Sequence, residues 1–231
     1  MKIKAFTLVE VLITLGVIGV VAAITIPSLI TKYQKRQTVT KLKDTYSIIA
    51  NAVKLSEADN GDLDNWDLSS NNGCEKFDTY ILPYLKSSSR RLAGGKMTYL
   101  YPNRKSKERK LSVLSSGGYT YTVLNGVEIF VPASDMKNGI EMLIDLNGYA
   151  NRPNQMGRDA FYLQVVPVLG VQFNQYNDNE YKAGTYTLKT REQLKNGPAQ
   201  YGYQCNKSGN GMWCGALIQR DGWQIREDYP W

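Results

Sequence analysis

The chain has 231 residues, 42% hydrophobic and 21% charged, enough for one globular domain with an appendage and unlike a disordered composition. Its formal charge of +7 permits attraction to phosphates or acidic surfaces without establishing it. Histidine is absent, which removes the commonest general base, the Ser–His and Cys–His pairs and the usual imidazole ligand, and three cysteines are too few for a disulfide scaffold and too scattered for a zinc site.

Met1–Ala5 is short and basic, with Lys2 and Lys4, and Phe6–Ile30 is almost wholly apolar. As a helix that run reaches about 37 Å, against a bilayer core of about 30 Å, so a single membrane-spanning segment is expected. Lys2 and Lys4 place the N-terminus in the cytoplasm by the positive-inside rule, although the cluster Lys32, Lys35 and Arg36 beyond the span weakens that orientation. Glu10 is the only charged residue from Phe6 to Thr31. A carboxylate in hydrocarbon costs about 2.5–3.5 kcal/mol on insertion-derived scales. A secretory signal peptide cut near "VVAA" (Val20–Ala23) and a plain signal anchor both leave that charge without a partner.

"AFTLVEVLITLGVIGVVAAITIP" (Ala5–Pro27) resembles the N-terminal segment of type IV pilins and type II secretion pseudopilins, with Phe6, Thr7, Leu8, Glu10, Gly19, Ala22, Ala23, Ile26 and Pro27 in place. One position departs: the family usually has glycine before the cut, where this chain has Ala5. The resemblance implies that a prepilin peptidase cleaves between Ala5 and Phe6 and N-methylates Phe6. It implies an inner-membrane protein whose head lies outside the cytoplasm and which joins an extracytoplasmic filament through an assembly platform and other pilin subunits. In such a filament Glu10 of one subunit meets the Phe6 amine of a neighbour and sets the axial register. Losing one partner of a buried pair costs about 3–5 kcal/mol.

Pro27 removes one helical hydrogen bond and predicts a bend. Periodicity continues beyond it, for Leu42, Tyr46, Ile49 and Val53 recur at 4-3-4 spacing and suit a helix packed on a head. The expected organisation is a leader (1–5), a stem helix (6–54, spanning the membrane over 6–30 and amphipathic beyond) and a globular head (55–231).

In the head, Ser56–Gly73 reads as a polar loop, and Cys74–Ser88 as a short helix with Phe77, Ile81 and Leu85 four apart, interrupted by Pro83. Tyr119–Val131 reads as a hairpin around a type I′ turn at Asn125-Gly126, with Val127, Ile129 and Val131 on one face. Strands are expected at Ile140–Leu146, Ala160–Val166 and Val168–Phe173. A stem helix against an antiparallel sheet is an α+β fold, as in pilin heads.

Asp145, Asn147 and Asp159 are candidate calcium ligands in an oxygen-rich loop. Their spacing departs from an EF-hand, and two Asx/Gly turns explain the loop without a metal, so no cofactor is required. Cys205 and Cys214 frame a glycine-rich turn and are expected to form a disulfide, leaving Cys74 as a buried thiol or an alternative partner. The tail from Cys214 is expected to form a helix ending near Gly222, with Trp213, Trp223, Tyr229 and Trp231 packed on the head.

Two other functions compete with a filament subunit. Arg104, Lys105, Lys107, Arg109 and Lys110, with Arg90, Arg91, Tyr99 and Tyr101, interleave cations and aromatics as a DNA-binding surface would, against the plainer reading of a solvated loop. Sixteen tyrosines and four tryptophans offer stacking surfaces for a carbohydrate-binding or enzymatic head. No G-x-S-x-G, Gly-rich phosphate loop or recognisable carboxylate pair supports an enzyme. A structural subunit is the reading these residues favour.

Overall fold

In a computed structural model the described residues are 7–93, 97–102, 110–113, 117–123, 125–134, 139–175, 187–198 and 202–231, with the side chains of 87–88 and 110–113 left aside. The chain divides into two units, Met1–Gln37 and Thr38–Trp231.

The first unit is helical from Leu8, the start of α1 (Leu8–Asn60), and the helix continues through Pro27. Its apolar side chains are exposed. Threonine hydroxyls bond back to carbonyls of the preceding turn, Thr14 to Val11, Thr25 to Val21 and Thr31 to Pro27 at 2.8–2.9 Å, so they bring no unsatisfied donor to a membrane. This is a helix long and apolar enough to span one.

The second unit opens with the remainder of α1. Leu42, Thr45, Ile49, Ala52, Val53 and Ser56 are buried on one stripe. That stripe carries the helix to Asn60 rather than the expected Lys54, and the expected loop begins only after it. Gly61, at φ 78°, stops the helix in the left-handed conformation that glycine adopts without strain. Leu63–Asn65 forms a 3₁₀ turn, and the segment is pinned inward by Trp66, whose indole donates to the Gly61 carbonyl at 2.9 Å and stacks on Tyr80 at 4.6 Å.

The expected Cys74–Ser88 helix is shorter and broken. α2 covers Gly73–Tyr80, a 3₁₀ turn covers Leu82–Tyr84, and β1 (Ser87–Leu92) begins where helix was anticipated. Pro83 disfavours the α conformation in the residue before it, yet Phe77, Ile81 and Leu85 all reach the core.

Six antiparallel strands form the main sheet in the order β1-β4-β5-β6-β7-β8, with β4 at Gly118–Val123, β5 at Glu128–Pro132, β6 at Ile140–Asp145, β7 at Ala160–Val166 and β8 at Gly170–Phe173. β2 (Met97–Leu100) and β3 (Lys110–Val113) form a separate two-stranded ladder. The β4–β5 hairpin forms as expected, but with Tyr121 opposite Ile129, one residue from the register that a two-residue loop at Asn125-Gly126 imposes, and its turn is not type I′. Of Asn125 and Gly126 only the glycine has positive φ (75°), and Gly126 N–H closes on the Val123 carbonyl at 2.9 Å. Val168 belongs to a turn, not to β8, and sits at φ 68°.

α2 lies over β4–β6, and among the described residues two short helices follow, α3 (Arg191–Asn196) and α4 (Cys214–Arg220), the latter over β7 and β8. Tyr46 of α1 stacks on Phe173 at 5.6 Å and donates to the Val171 carbonyl at 3.0 Å, which fixes the head portion of α1 against β8. The α+β class is as expected: a long helix followed by an antiparallel head.

Candidate functional site

Ala5 and Phe6, the expected processing site, lie outside the described residues, as do Lys2 and Lys4. From Thr7 onward the helix start has its own chemistry. The backbone N–H and the hydroxyl of Thr7 both donate to Glu10 Oε2 at 2.8 Å, and Glu10 N–H returns to the Thr7 hydroxyl at 3.3 Å. This is a capping box, the T-x-x-E spacing that satisfies orphan amides at a helix N-terminus. That spacing is legible in the sequence at Thr7–Glu10, but attention to the charge alone passes over it. Glu10 is therefore not unpartnered before assembly: Thr7 holds it within its own helix, and no described residue donates to Oε1.

In the head, the segment Leu146–Asp159 joins β6 to β7 and gathers the candidate metal ligands. All four carboxylate oxygens of Asp145 and Asp159 accept a protein donor. The Tyr99 hydroxyl (2.9 Å) and Asn147 N–H (3.2 Å) reach Asp145; Asn154 N–H (2.8 Å) and Gln155 N–H (2.5 Å) reach Asp159. The side chain of Asn147 reaches Asp159, and its amide also donates to the carbonyls of Asn151 and Arg152 at 3.3 Å. The amide group thus takes a donor position among oxygens. Asp145, Asn147 and Asp159 do share one polar interior, but among the described residues no three Asp, Glu or Cys side chains converge as a ligand set.

Burial, reinforced by the charge of Asp159, pushes Asp145 up to about 7, and burial pushes Asp159 up to about 6. A carboxyl raised in the folded state binds its proton more tightly there than in the unfolded chain. The stabilisation is complete below the ordinary carboxylate range and is lost as pH rises through about 6 to 7. The melting temperature of the full chain in detergent is accordingly expected to fall from pH 5 to pH 8, and Asp145→Asn is expected to flatten that slope. A melting temperature constant across this range would contradict the burial of these two acids.

The same loop is the junction of the head. Gln155 donates to the Pro102 carbonyl at 2.6 Å, Leu100 N–H to the Asn154 carbonyl at 2.8 Å, the Thr38 hydroxyl to the Arg158 carbonyl at 3.2 Å, and the buried Tyr229 hydroxyl to the Gly157 carbonyl at 2.5 Å. Cys205 and Cys214 form a disulfide beneath it, while Cys74 is a buried thiol outside the disulfide, donating to the Val131 carbonyl at 3.3 Å. α4 ends just before Gly222, and Trp213 and Tyr229 are buried with the partly covered Trp223 and Trp231, as expected of a packed tail.

Part of the basic and aromatic set of the DNA-binding alternative lies among the described residues. Tyr99 is fully buried, Arg90 pairs with Asp78 at 2.8 Å over the ring of Tyr119, and Arg91 pairs with Glu128 at 2.6 Å. Arg104, Lys105, Lys107 and Arg109 lie outside the described residues.

Residues 1–26 match the prokaryotic N-terminal methylation motif, the prepilin segment of type IV pilins and pseudopilins. Residues 28–231 match a family described as "Family of unknown function (DUF6613)". No curated protein and no solved structure matches the chain. With the whole of the second unit inside that match and the methylation motif ahead of it, the chain belongs to the DUF6613 family and is a type IV pilin-like or pseudopilin protein.

Proposed function

We propose that this protein is a structural subunit of a type IV pilus or of a type II secretion pseudopilus. The prepilin peptidase cuts between Ala5 and Phe6 and methylates the new amine. The inner-membrane assembly platform then draws the subunit, head outside the cytoplasm, into a filament with other subunits. The observation that carries this reading is the methylation motif at residues 1–26, which contains the start of a helix whose large apolar side chains are exposed from Leu8 to Ile30. Such a surface needs either lipid or neighbouring helices to cover it. Its role is to bind other copies, not to turn over a substrate.

Mass spectrometry of the N-terminus after extraction from membranes of the native host tests this. The expected product begins at a methylated Phe6. An intact Met1, or a cut near Ala23, sinks the processing claim.

A further inference from the structure

Immediately beyond the apolar run the helix carries Lys32, Tyr33, Lys35 and Arg36. Leu8 to Thr31 as helix covers about 36 Å, so Lys32 stands where a hydrocarbon layer of about 30 Å has given way to headgroups. Lys32 and Arg36 are exposed and, four residues apart, share one face of α1. Tyr33 is 60% exposed, with its hydroxyl accepting from the Gln37 amide at 2.7 Å. An exposed tyrosine among basic residues at this depth is the pattern of a membrane–water interface. No acidic residue occurs from Val11 to Lys43, so α1 itself supplies no carboxylate within a turn of Lys32 or Arg36.

We propose that Lys32 and Arg36 form a collar that binds the phosphates of anionic phospholipids in the leaflet on the head side. This rests on the membrane-anchored reading above and adds a lipid preference to it. The collar fixes the depth of the waiting subunit, with Tyr33 at the boundary. It also makes departure into a filament depend on lipid charge, because those phosphate contacts must be given up. Basic residues beside an anionic surface contribute about fivefold each at low salt, on the order of 25-fold for two.

The test is the full chain reconstituted in phosphatidylcholine vesicles holding a trace of spin-labelled phosphatidylglycerol or spin-labelled phosphatidylcholine. The expected result is a several-fold excess of motionally restricted phosphatidylglycerol at low salt. That excess should shrink at 1 M salt, where the Debye length is about 3 Å. It should fall several-fold in the double variant Lys32→Gln, Arg36→Gln, and largely persist in Lys2→Gln, Lys4→Gln, which removes the cations of the leader. Equal restriction of both lipids by the parent chain overturns the proposal, as does an excess that the double variant leaves unchanged. Failure of the membrane reading looks different: the chain neither floats with the vesicles nor restricts either lipid.

Discussion

Glu10→Ala is expected to leave leader removal intact and to lower the assembled, pelletable fraction at least a hundredfold. The neighbour's amine would then be buried without its counter-ion, a loss of about 3–5 kcal/mol at each contact. Because the carboxylate also caps its own helix through Thr7, alanine alone does not separate the two roles. Glu10→Gln does, since glutamine serves at the third helical position of a capping box but carries no charge. Thr7→Ala does the reverse, at a cost of about 1 kcal/mol to the helix start. The expected order is therefore parent, then Thr7→Ala with reduced filaments, then Gln and Ala together with almost none. If Gln assembles as the parent does while Ala fails, the cap and not the charge is what assembly needs, and the trans pairing is wrong.

Gly157→Val is expected to destabilise the head by about 3–5 kcal/mol. Gly157 sits at φ 77°, where a residue with a Cβ pays about 1–2 kcal/mol. An added Cβ would stand 2.8 Å from Cys214 Sγ and 2.9 Å from the Tyr229 hydroxyl. Neither atom can retreat freely, one being in a disulfide and the other bonded to the carbonyl of Gly157 itself. Overpacking of this kind costs about 1–3 kcal/mol, with valine adding two methyls to the collision. Gly61→Ala is the control: it has the same sign of φ (78°) but open space around it, so about 1 kcal/mol is expected. Thermal unfolding of the two full-length variants in detergent measures both; equal losses would show that backbone strain alone, without the collision, sets the cost.

The long helix and the central hairpin are legible in the sequence because their signals are local. An apolar run, a 4-3-4 stripe through Leu42, Tyr46, Ile49 and Val53, and the alternation at Tyr119–Val131 each act over a few residues. The helix ends six residues beyond the expected Lys54 because "SEADN", although polar, turns Ser56 toward the core, and Asn60-Gly61 spells the stop. β1 is hidden because "SSSRRL" has no apolar alternation; it is an edge strand ordered by pairing with β4. The Cys205–Cys214 pairing is readable from a short loop with a glycine-rich turn, whereas the use of Tyr99 is not. Its hydroxyl meets Asp145 across 46 positions of chain, a contact that no local pattern encodes.

The bond from Tyr229 to Gly157 has a bearing on biosynthesis. At about 5–20 residues per second, a ribosome finishes α1 roughly 10–30 s before it reaches Tyr229. For that interval the helix is already available to the translocation machinery, while the junction at Gly157 still lacks its final tyrosine. Under the proposed topology the head is therefore expected to cross as an open polypeptide and to close on the far side, the side on which Cys205 and Cys214 then pair.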